Sequence, residues 1–118
     1  MTVAANRPRR MLAATDFSAP AGAAVARAGQ LARAHGAALT ALHVLPEELG
    51  SDLAEHVRNR LRSHVMEFIG ETPASIALRR GPVAPEVAAE AAGIGADMVV
   101  VGAHGGDWLA DLFLGSTA

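Results

Sequence analysis

The run Met98-Val99-Val100-Val101, bracketed by Asp97 and Gly102, leaves this chain few folds to adopt. Three β-branched residues in succession favour extended backbone over helix. Side chains along a strand alternate between faces, so a run without polar alternation asks for burial on both sides. That is the situation of a parallel strand covered by helices.

The rest of the chain supplies such helices. Met11 to Thr15 is a second apolar run, followed by Ser18 as a helix N-cap with Pro20 in the first turn. Ala24, Ala28, Leu31 and Ala32 share one face of the predicted helix, and Gly36 stops it. Ala37 to Leu45 reads as the next strand, closed by Pro46. Beyond Leu49, Leu53, Val57, Leu61, Val65 and Ile69 recur every four residues, the mark of an amphipathic helix ended by Gly70 and Pro73. Ser75 to Leu78 is a third short strand. Pro85-Glu86 opens a helix that turns Val87, Ala88 and Ala91 inward and ends at Gly93 and Gly95. The order βαβαβαβ predicts an open parallel sheet with right-handed crossovers and helices on both faces, an α/β fold.

Composition agrees with thin, closely packed layers: the chain holds 27 alanines, and its aromatic residues are Phe17, Phe68, Trp108 and Phe113 alone. Its 118 residues fall below the roughly 150 of an average domain, so one domain is expected. Residues 9–118 are assigned to it and 1–8 to a flexible leader. Ten arginines and no lysine stand against twelve carboxylates, a net charge of -2. No domain-wide basic field exists to attract nucleic acid or anionic lipid, and neither is an expected partner. Without cysteine there is no disulfide, thiol nucleophile or cysteine-ligated zinc. Arg7, Arg9 and Arg10 before Met11 imitate an export signal, yet Asp16 cuts the apolar run to five residues where a signal needs about 7 to 15. The expected location is the cytoplasm.

In an open parallel sheet, ligands bind at the carboxyl ends of the strands where the winding direction reverses. Three segments fall there. Thr15-Asp16-Phe17-Ser18 carries a carboxylate able to accept hydrogen bonds from a base or sugar, or to stabilise the following helix N-terminus. His43-Val44-Leu45-Pro46 offers backbone groups to a heterocycle edge, with His43 either a catalytic group or a histidine packed under a loop. The segment from Gly102 to Thr117 has Gly105-Gly106 and Gly115-Ser116-Thr117, turns whose exposed N–H groups suit phosphate oxygens, or that are simply tight turns.

The spacing Gly102, two residues, Gly105, nine residues, Gly115-Ser116 resembles the signature of the universal stress protein family. Ala14-Thr15-Asp16-Phe17-Ser18 is similar to that family's first loop, Leu42-His43-Val44 to its second strand end, and Gly81-Pro82 with Pro85-Glu86-Val87 to its approach to the third helix. The resemblance runs from about Arg9 to Ala118. It implies a doubly wound, Rossmann-like sheet of the adenine nucleotide alpha hydrolase type, with four strands ordered 3-2-1-4. It implies also an adenine nucleotide as ligand, ATP above all, held with Mg²⁺ or Mn²⁺. Asp16 and the backbone at Val44 would meet the adenine. Gly102 and Gly105 would line ribose and phosphates, and Gly115, Ser116 and Thr117 would hold phosphate oxygens. A homodimer or other homo-oligomer is the implied assembly. Relatives continue past the position of Ala118 with a further helix and an edge strand, so the domain reads as C-terminally short.

Two features depart from the family pattern or add to it. Gly106-Asp107 and Asp111 bring negative charge near the triphosphate, which it repels unless a Mg²⁺ bridges Asp107 to the phosphates. Trp108 reads as a partner contact or a local hydrophobic anchor, or as a ring that stacks on a ligand. No Gly-x4-Gly-Lys-Ser/Thr phosphate loop and no Gly-x-Ser-x-Gly elbow occurs, and Gly93-Ile94-Gly95 closes a helix rather than opening one. His56 and His64, eight apart on the second helix, read as solvent-facing rather than as a metal pair. No nucleophile and base are paired by motif, which argues against turnover, and the family resemblance implies a stress-response module that acts by binding. The alternatives are an interaction module of the same fold without a nucleotide, and a small nucleotide or phosphate-ester hydrolase using Asp16 or His43.

Overall fold

The computed structural model describes residues 7–102. Four strands and three helices alternate: β1 (Arg10–Ala14), α1 (Ala19–His35), β2 (Ala38–Leu45), α2 (Ser51–Ile69), β3 (Ser75–Arg80), α3 (Val83–Ile94) and β4 (Met98–Val100). All pairings are parallel and the strand order is β3-β2-β1-β4. The sheet thus has the class and order expected from the sequence. The chain steps from β1 outward to β2 and β3, then α3 carries it back across to the far side of β1. The winding reverses between β1 and β4.

Local sequence explains most boundaries. Ser18 caps α1 by accepting a hydrogen bond from the Ala21 amide at 3.2 Å, and Gly36 ends it in the left-handed conformation at φ 65°. Pro85 falls inside the first turn of α3, which begins at Val83. The amides of a first turn have no acceptor within the helix, so proline costs nothing there. Asp97 ties the start of β4 to that of β1, accepting hydrogen bonds from the Arg9 amide at 2.9 Å and the Arg10 amide at 3.3 Å. Arg79 at the end of β3 pairs with Glu86 at 2.7 Å and Glu90 at 3.0 Å, pinning α3 against the sheet.

Alternation along β1 divides the core. Met11 and Ala13 face α1 with Val25, Ala28 and Ala32, while Leu12 and Ala14 face α3 with Leu42 and Val87. On the α1 side, Ala41, Leu61 and Val65 extend the core beneath α2. Helices therefore cover both faces, as expected, with α1 and α2 on one and α3 on the other.

Four expectations need correction. Ala88, expected to face inward on α3, is exposed, and the helix buries Ala84 and Val87 instead. The run Met98 to Val101 is not buried on both faces: Val99 is 39% exposed. Met98 and Val100 pack toward α1, whereas α3 packs over β1, β2 and β3. The four-residue stripe of α2 buries Leu61 and Val65 but leaves Leu53 exposed. A strict spacing of four drifts about 40° per step around a helix of 3.6 residues per turn, so the far end rotates away from the sheet. His64, expected in solvent, is buried at 9% exposure. It shares the inward face with Leu61, three residues before it, and Phe68, four after it.

Candidate functional site

The carboxyl end of β1 opens directly into the loop Thr15-Asp16-Phe17-Ser18, and the carboxyl end of β4 leads to Gly102. Between and beneath them is a cavity of about 260 Å³ lined by Ala14, Thr15, Asp16, Ser18, Ala21, Leu42, His43, Val44, Val83, Val87 and Gly102. It lies at the point where the winding reverses, the place where open α/β sheets bind ligands. Leu42, Val44, Val83 and Val87 make an apolar slot, and the β1–α1 loop supplies a polar rim. The volume is near the lower end of the roughly 300–1,000 Å³ typical of small-molecule pockets, so it suits a flat ring system with little more.

Three of the sequence-predicted residues, Asp16, Val44 and Gly102, come together in this cavity. Gly105, Gly115, Ser116 and Thr117 lie outside the described residues, as do Asp107, Trp108 and Asp111. Gly102 has a steric reason to be glycine. A Cβ built there would stand 2.9 Å from the Ala21 nitrogen and the Pro20 carbonyl carbon, backbone atoms at the start of α1. The close approach leaves the first turn of that helix bordering the cavity.

Asp16 is exposed, and its Oδ1 accepts a hydrogen bond from the Ser18 amide at 2.9 Å. Hydrogen bonding to Ser18 holds its carboxyl below the usual carboxylate range, against the opposing effect of burial. The group is an anion at neutral pH. It presents an acceptor to the cavity while closing its own loop.

Behind the loop stands a cluster the sequence reading did not assemble. Thr15 is buried, its carbonyl accepting from His43 Nδ1 at 2.7 Å and its hydroxyl lying 2.9 Å from His64 Nε2. Phe17 has φ 69°, a left-handed conformation unusual for a bulky residue. Its ring packs against His43 and His64, with centroids 4.5 Å and 5.3 Å away, and the Arg60 guanidinium sits 4.2 Å above it. His43 is the packed strand-end histidine of the two sequence readings, with one ring nitrogen committed to the backbone. The place of His64 beside Leu61 and Phe68 at helical spacing was the available signal for its burial. Its partner Thr15, 49 residues away, had none. Among the described residues, no three His, Asp or Glu side chains gather as a metal site.

The parallel sheet and its crevice define an α/β domain of the doubly wound, Rossmann-like class. Residues 8–118 match the sequence profile of the universal stress protein family, and the chain belongs to that family. It is similar in structure to a universal stress protein in complex with cAMP, with a TM-score of 0.75 and 22% identity over 92% of this chain and 91% of that one. It is similar also to universal stress protein UspA from Lactobacillus plantarum, with a TM-score of 0.71 and 21% identity over 90% of each chain. A universal stress family protein from Burkholderia pseudomallei gives a TM-score of 0.70 and 21% identity, over 91% of this chain and 89% of that one. At these identities the likeness establishes the fold. No curated protein matches the chain. No helix among the described residues is long and apolar enough to cross a membrane.

Proposed function

We propose that this chain binds ATP or a related adenine nucleotide in the crevice between the ends of β1 and β4, and acts in the stress response through that binding rather than through turnover. The observation that carries the reading is the apolar slot of Leu42, Val44, Val83 and Val87 roofed by the Asp16 loop at the reversal point of the sheet. A purine ring fits such a slot: its faces meet aliphatic side chains, and its edge meets the Val44 backbone and the Asp16 carboxylate. The family and the cAMP complex of a structural relative support an adenine ligand. In this reading Gly102 and Gly105 border the ribose and phosphates, and Gly115, Ser116 and Thr117 hold phosphate oxygens with Mg²⁺ or Mn²⁺. Bound, the divalent cation supplies charge neutralisation for those oxygens. Assembly as a homodimer completes the reading.

Calorimetric titration of the whole chain with Mg-ATP is expected to show saturable binding. Asp16→Ala should weaken it about tenfold, the size of one lost hydrogen bond to a charged group. Phosphate release should stay at background throughout. A flat titration rejects the nucleotide and leaves an interaction module; native mass spectrometry of the same samples reports whether a dimer forms without ligand. Sustained phosphate release abolished by His43→Ala would instead establish a hydrolase.

A further inference from the structure

We propose that His43 and His64 form a two-imidazole latch behind the loop that carries Asp16, and that protonation of His64 releases the latch and weakens binding in the crevice. The proposal rests on the adenine-nucleotide reading of that crevice and adds its regulation by acid.

Every polar group of Thr15 is engaged. Its amide donates to the Leu42 carbonyl at 2.9 Å, and its carbonyl accepts from His43 Nδ1 at 2.7 Å. A carbonyl can only accept, so His43 carries its hydrogen on Nδ1. The Thr15 hydroxyl accepts the Phe17 amide at 3.1 Å and meets His64 Nε2 at 2.9 Å. The hydroxyl has one hydrogen, which it donates to His64 when Nε2 is bare. The hydroxyl can meet a bare Nε2 as donor or an Nε2–H as acceptor, so it is the burial of the ring, not this contact, that favours the neutral imidazole.

Protonation places a hydrogen on Nε2 facing the hydroxyl. The hydroxyl must turn its own hydrogen elsewhere, and the buried imidazolium lies against the rings of Phe17 and Phe68, in surroundings that solvate a cation poorly. The charged and titratable groups around it are Arg60 and Glu67 on α2, Asp16 on the loop and His43 on β2. Burial outweighs the carboxylates and holds the His64 pKa below the ordinary histidine value. An acidified His64 gains by moving toward water, and that movement withdraws support from Thr15 and from the ring of Phe17. Phe17 is held in the left-handed region by these neighbours, so the loop has a conformation to relax into once they loosen. Asp16 and Ser18, on either side of Phe17, line the crevice.

The test combines NMR of the unliganded chain with adenosine binding, each followed from about pH 8 to about pH 5, the range in which histidines titrate. Adenosine is the probe because it carries no phosphate to titrate. His64→Gln is the control, since its amide oxygen accepts from the Thr15 hydroxyl and does not protonate. In the wild type, the Phe17 and Ser18 amide signals should move in step with the His64 imidazole, and in the variant they should stay fixed. Adenosine affinity should fall about fivefold in the wild type, the worth of one net hydrogen bond, and stay level in the variant. Loop amides that do not move, that move equally in His64→Gln, or an adenosine affinity independent of pH would overturn the latch. Failure of adenosine to bind at any pH rejects the nucleotide reading instead, and the amide signals still decide the latch.

Discussion

Gly102 shows how one missing side chain shapes the crevice. The nearest atoms to a Cβ at this position belong to the Pro20-Ala21 backbone, which is fixed by the start of α1 and cannot rotate aside as a side chain would. Gly102→Ala must push the end of β4 away from the helix. Overpacking of this kind costs about 1–3 kcal/mol, and a lower midpoint in urea unfolding is the expected result. The same variant should lose ligand binding, because the displaced segment is a wall of the cavity. An unchanged midpoint would show that the β4 end has room to shift. Asp97 acts at the opposite end of the same strand, where its carboxylate engages the amides that open β1 and so helps to set the β1–β4 register.

At the scale of elements, α1 and α2 meet through a seam of small residues. Gly22 and Gly29 lie seven residues apart on α1, and both are buried. A Cβ at Gly22 would come within 2.3 Å of the Phe68 ring, and one at Gly29 within 2.6 Å of the Ile69 side chain. The glycines are seats for two large residues of α2. Replacing glycine in a helix interior gains several tenths of a kcal/mol from propensity, so the outcome depends on the clash. For Gly22→Val the clash dominates, since Phe68 is itself wedged edge-on against His64 with ring centroids 5.1 Å apart. A net loss of about 2 kcal/mol in chemical denaturation is expected. Gly22→Val with Phe68→Leu should recover part of it, and strictly additive losses would argue that the two positions do not press on one another.

For the molecule as a whole, the buried His64 makes stability depend on pH in a definite direction. Its pKa is lowered in the fold from the ordinary 6.5, so below that value the unfolded chain binds more protons than the folded one. The stabilisation is complete above 6.5 and is lost as the pH falls toward the native value. Asp16, also lowered from its ordinary 3.8, adds a second loss at still lower pH. Urea midpoints of the wild type should drop on acidification between about pH 7 and about pH 5, and those of His64→Gln should drop less. Parallel curves for the two proteins would mean that His64 carries no share of the acid sensitivity.

The chain's sequence by itself determined the alternation of strands and helices, the caps at Ser18 and Gly36, and the class of fold, because those follow from interactions between residues close along the chain. Through family motifs it also marked Asp16, Val44 and Gly102, which the structure places around one cavity. Strand ends moved by one or two residues, as at Arg79 and Arg80 of β3, which hydropathy reads as polar but which extend the ladder beside Val44 and Leu45. The partners of individual side chains were decided by tertiary structure. His64 looks like a surface residue beside Arg62 and Ser63 until α2 settles on the sheet and turns it toward Thr15. The exposure of Val99, the strained Phe17 and the depth to which Phe68 enters α1 at Gly22 have the same origin. Local pattern specifies which element forms, whereas a buried hydrogen bond between positions 15 and 64 exists only after the layers have packed.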